Sequence, residues 1–89
     1  MDTQAPSKSQ VLPTIHLGGT SRNTLFDDTS DALNALRDAL RALAVTTPNA
    51  RDYPNSGDIG LAMAQYLDRK RRIESVITEL EALAEHIVE

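Results

Sequence analysis

Residues 58–88 read DIGLAMAQYLDRKRRIESVITELEALAEHIV, and within them Ile59, Tyr66, Ile73, Leu80 and Ile87 recur every seven residues. Met63, Ile77 and Ala84 flank that row. An apolar repeat of this period makes one narrow stripe on an α-helix, so the stretch predicts a helix of about 30 residues with a single buried face. A second stripe stands upstream. There Phe26, Leu33 and Leu40 keep the seven-residue step, with Leu36 and Leu43 in the companion row. Between the stripes, Pro48–Gly57 holds two Pro, two Asn and one Gly, the chemistry of a connecting loop. The expected fold is therefore all-α: an antiparallel helical hairpin of two long helices, oligomerising through its heptad seams.

The ends of these helices can be placed from local signals. Thr20 or Ser21 is a suitable cap for a first helix over 22–45, and Thr46-Thr47-Pro48-Asn49 stops it. Ser56 or Asp58 is the expected cap of the second helix. Residues 1–14, polar and with two prolines, read as a flexible N-terminal arm in which Val11 and Leu12 are the only docking candidates. Residues 15–89 form the hairpin domain. If Leu43 faces Ile59, then Leu36 faces Tyr66 and Phe26 faces Val76, while Leu33 meets Arg69 or Lys70.

Eighty-nine residues give at most one domain, and two helices cannot enclose a deep core. With only three aromatic residues and no Cys, neither a large aromatic core, disulfides nor thiolate metal sites can supply stability. A homo-oligomer, dimer or larger, is the remaining source. The net charge of −4 disfavours general nucleic-acid binding, which depends on phosphate neutralisation. No apolar run approaches the roughly 20 residues of a membrane span, and no hydrophobic leader segment is present, so no membrane partner and a cytoplasmic location are expected.

Three features could carry function. Asp68-Arg69-Lys70-Arg71-Arg72 interrupts the second stripe. Its four cations either pair with Asp27, Asp28 and Asp31 across the hairpin or form a basic groove for an anion. Gly18-Gly19-Thr20-Ser21-Arg22 opens the first helix. The glycines permit a tight turn with positive φ, and free N–H groups at a helix start favour an anionic ligand. His16 stands beside that turn. The alternative is an ordinary capped helix start. Asn49-Ala50-Arg51-Asp52-Tyr53 offers an amide, a guanidinium, a carboxylate and a ring within one loop. It reads either as a recognition loop or as a self-organised turn in which Asp52 bonds backbone and Arg51 pairs with Asp52. In a hairpin the two loops lie a helix length apart, so they share a site only across subunits.

Catalysis has little support in these residues. There is no Cys nucleophile, no Ser is matched to a His by local sequence, and His86 and Glu89 lack a third metal ligand at helical spacing. A non-enzyme without metal or cofactor is expected.

At the two loops the chain resembles a group of small proteins encoded by phages and prophages. These carry His-Leu-Asn-Gly-Thr/Ser before a first helix and Asn-Ala-Arg-Asp-Tyr-Tyr between two helices. The matching residues here are His16-Leu17-Gly18-Gly19-Thr20-Ser21 and Asn49-Ala50-Arg51-Asp52-Tyr53, and the resemblance spans residues 15–88. Gly18 stands in place of Asn and Pro54 in place of the second Tyr, which removes an amide and a ring. The resemblance implies a phage accessory protein in the bacterial host cytoplasm. It implies an anti-defence role: sequestering, without cleavage, an anionic nucleotide-derived immune signal of the CBASS or Thoeris type. Ligand-binding residues would then be His16, Gly18, Gly19, Thr20, Ser21, Arg22, Asn49, Arg51, Asp52 and Tyr53. The alternative partner is a host protein, met by a CRISPR inhibitor or phage assembly adaptor through acidic helix faces around Asp27, Asp28, Asp31, Glu79, Glu81 and Glu85.

Overall fold

The computed structural model describes residues 10–89. The first nine residues of the expected arm lie outside them. Two helices, α1 (Arg22–Ala44) and α2 (Asp58–Val88), pack against each other as a hairpin, with a 3-10 turn (Ala50–Asp52) in the connection. No strand occurs among the described residues. The chain measures 60 × 30 × 16 Å and is thus a single layer of helices.

Local chemistry sets the helix ends. Ser21 caps α1: its Oγ accepts from the Thr24 N–H at 3.1 Å and donates to Thr24 Oγ1 at 2.9 Å. At the other end the Thr46 N–H donates to the Leu43 carbonyl at 2.8 Å, a tighter i→i+3 bond, and Thr46 Oγ1 donates to the same carbonyl at 2.7 Å. Thr47 repeats this at the Ala44 carbonyl. These hydroxyls satisfy the orphan carbonyls that Pro48, which has no N–H, cannot reach. The start of α2 differs from the expected Ser56 or Asp58 cap. Gly57 occupies that position at φ 89°, with no side-chain cap bond. Only glycine adopts this left-handed backbone cheaply, and the chain turns there into Asp58, whose carboxylate suits the helix dipole.

The interior is small. Leu33 of α1 and Tyr66, Ile77 and Ile87 of α2 are the buried apolar side chains, while Leu36, Leu40, Leu43, Ile73 and Leu80 are half-buried. Phe26 remains 36% exposed and Leu25 turns inward beside Thr29 in its place.

The register also differs from expectation. Leu36 and Leu43 share a groove with Ile73 and Val76, whereas Leu36 was to face Tyr66. The helices are displaced by about two turns because the connection is not a tight reversal. Thr46, Thr47 and the 3-10 turn take up length beyond α1, so the first turns of α2 project past its end. Of the cations at 69–72, Lys70 and Arg72 consequently pair within α2, and none of the four pairs with α1 among the described residues. Lys70 Nζ meets Glu74 at 3.0 Å and Arg72 Nε meets Asp68 at 3.0 Å, both one helical turn away. Between the helices, Arg37 bonds Glu81 at 2.8 Å. All of these pairs are substantially exposed, so each contributes at most about 1 kcal/mol.

Candidate functional site

The structure places the ten candidate residues in two clusters at opposite ends of α1. That helix has 23 residues, so the clusters stand roughly 35 Å apart along it. A single chain does not bring them together.

The first cluster is the turn before α1. The Gly19 N–H donates to the His16 carbonyl at 3.1 Å, and the imidazole folds back over the turn. A Cβ at position 19 would stand 2.9 Å from His16 Nε2. A larger residue there would displace only the exposed His16 ring, so the turn does not require glycine at position 19, nor does either glycine adopt the positive φ expected for the pair; among the described glycines only Gly57 has one. Gly18 and Thr20 are exposed, and the Ser21 hydroxyl is engaged with Thr24 both as acceptor and as donor. Arg22 Nη1 donates to the Ile87 carbonyl at 2.7 Å. A cation at the last carbonyls of a helix offsets the negative end of its dipole, so this guanidinium caps α2.

The segment before this turn docks on the same helix end. Gln10 Nε2 donates to the Glu79 carbonyl at 3.1 Å. His86 Nε2 lies 2.8 Å from the Pro13 carbonyl, which requires the proton on that nitrogen. Three residues of extended chain and seven residues of helix both span about 10 Å, so residues 10–13 run nearly straight along α2. Pro13, Ile15, Arg22, His86 and Glu89 line an open groove of about 310 Å³. His86 and the strap at 10–13 were not foreseen as a unit, because their partners are main-chain carbonyls that leave no mark in side-chain pattern.

The second cluster is the 3-10 turn. Asn49 Oδ1 accepts from the Arg51 N–H at 3.0 Å, and the Asp52 N–H donates to the Asn49 carbonyl at 3.0 Å. The Asn49 amide thus organises the turn. No ion pair joins Arg51 to Asp52 among the described residues, and Arg51, Asp52 and Tyr53 all point to solvent, Tyr53 with 37% of its surface exposed. The turn is organised through its backbone, and its Arg51 and Asp52 side chains make no hydrogen bond or ion pair among the described residues.

Among the described residues no group of three or more His, Asp or Glu is placed to hold a metal, and no helix is long and apolar enough to cross a membrane. Comparison with protein families, curated proteins and solved structures yields no match.

Proposed function

We propose that the chain is a non-catalytic, cytoplasmic binding protein that sequesters an anionic, nucleotide-derived signal, in keeping with its resemblance to phage-encoded proteins and with an anti-defence role against CBASS- or Thoeris-type immunity. One observation carries this reading. The Asn49-capped turn holds its backbone rigid while leaving Arg51 and Tyr53 uncommitted and exposed. A planar guanidinium and an aromatic ring two residues apart on one loop suit the phosphate and the base of a nucleotide: bidentate hydrogen bonds for one, stacking for the other. A cyclic dinucleotide, cyclic trinucleotide and ADP-ribose panel tests it by thermal shift. One member is expected to raise the melting temperature of the wild-type chain, and Arg51→Ala and Tyr53→Ala are each expected to abolish that rise. Absence of a shift across the panel overturns the reading.

A second reading has its own support. Seven carboxylates crowd the end of the molecule where α1 begins and α2 finishes, against Arg22 and, at Glu81, Arg37. Such a field suits a basic protein surface, and binding would weaken steeply with salt. A single stoichiometric host partner that elutes from the immobilised full chain as salt rises would favour this interaction module over the ligand binder.

A further inference from the structure

The two ends of the hairpin differ in charge. Arg22–Leu33 together with Ile77–Glu89 hold seven carboxylates and one Arg, a net of −6. Asn34–Val76, the half that contains the loop, holds seven cations and five carboxylates, a net of +2. Residues 1–21 balance at zero, which recovers the chain total of −4.

One face of the basic half is also apolar and open. Leu36, Leu43, Ile73 and Val76 line a groove of about 400 Å³ between the helices, rimmed by Arg69 and Arg72. Val76 is 42% exposed there. Beside Leu36, the exposed residues Ala32, Ala35 and Ala39 fall at three- and four-residue spacing on α1, so another helix can approach closely. Two helices that bury four apolar side chains leave this face for a third and fourth.

We propose that the face is covered by a second copy of the chain, lying antiparallel and centred near Leu33. Charge fixes the occupant and the direction. In that arrangement Asp28 and Asp31 of the second copy lie opposite Arg69 and Arg72, and the acidic end of each chain meets the basic half of the other. A parallel pair would stack acidic end on acidic end. The antiparallel pair also carries the His16–Arg22 turn of the second copy over the projecting first turns of α2, beside Arg51 and Tyr53. Each dimer then holds two composite sites, built from the two clusters that one chain keeps apart. This last consequence rests on the ligand-binding reading; the pairing itself does not.

Light scattering on the full chain without ligand, at about 0.1 mM, is expected to give twice the 9.7 kDa chain mass. Ala35→Glu/Ala39→Glu, on exposed positions, is expected to halve that mass while helicity by circular dichroism is unchanged. Arg69→Glu/Arg72→Glu and Asp28→Arg/Asp31→Arg should each weaken the dimer, and an equimolar mixture of these two charge variants should restore it. Because the chain has no Cys, orientation can be read from crosslinks: Asp28→Cys/Arg72→Cys forms covalent dimers on oxidation, and neither single variant does. A monomer at this concentration overturns the proposal and leaves the face to a different protein. A dimer that survives both Glu substitutions, or that crosslinks through Asp28→Cys alone, overturns it equally. A correct dimer that binds no member of the nucleotide panel leaves the pairing intact and removes the ligand reading.

Discussion

The end of the hairpin where α1 begins and the end where the loop sits are built differently. At the first, three polar contacts join residues far apart in the chain: Gln10 to Glu79, Pro13 to His86 and Arg22 to Ile87. Beneath them Ile87 is 1% exposed, the most deeply buried side chain of the four-residue interior. At the second, every loop hydrogen bond spans two to four residues, from Asn49 to Arg51 or from Thr46 to Leu43. No side-chain hydrogen bond or ion pair among the described residues joins the loop to a distant part of either helix, and Leu61 on the projecting turn of α2 is 65% exposed. One end is closed by the chain's own tertiary contacts. The other is locally ordered and tertiarily open, which is the condition under which loops carry recognition.

Substitutions should separate the two ends. The largest effect is expected at the closed end. Ile87→Ala removes the deepest side chain from a core with little else to repack, and should lower stability by about 2–4 kcal/mol in urea unfolding. Arg22→Ala should cost about 1 kcal/mol by removing the cap of α2, with faster amide exchange confined to the last turn of that helix. Equal exchange along the whole of α2 would show that the strap and cap are not an independent closure. Arg51→Ala, at the open end, should change stability by no more than about 0.5 kcal/mol, since the exposed guanidinium makes no hydrogen bond or ion pair among the described residues. A larger loss there would mean that the turn is structural, and the contrast between the ends would fail.

Much of this architecture is legible in the residues because helix period and capping are local properties. The spacing of Leu33, Leu40, Tyr66 and Ile87 is sufficient for two helices, and Ser21 is readable as a cap. Register is not local. It depends on how much length Thr46, Thr47 and the 3-10 turn consume, and that choice moved Leu36 from Tyr66 to the neighbourhood of Ile73. The same shift explains why Lys70 and Arg72 find Glu74 and Asp68 and not Asp27–Asp31. At the candidate site the turn is organised by Asn49 and not by the Asp52 backbone bond and Arg51–Asp52 pair that the composition suggests, because an Asx side chain just ahead of a 3-10 turn reaches its first free N–H. Arg22 shows the limit of such reading: a cation beside a helix start has the same appearance whether it awaits an anion or reaches across to a carbonyl on another helix. Only the position of Ile87, far along the chain, distinguishes the two.

In the proposed dimer the turn at His16–Arg22 and the loop at Asn49–Tyr53 meet between chains, not within one. Pulsed dipolar spectroscopy addresses it directly, with one spin label on chains carrying Leu17→Cys and the other on chains carrying Asn55→Cys, mixed in equal amounts. Both positions are exposed. The account predicts an intermolecular distance of about 20 Å or less, well short of the roughly 35 Å that α1 imposes within a chain. A distribution centred at or beyond the helix length, or no intermolecular coupling at all, would contradict it.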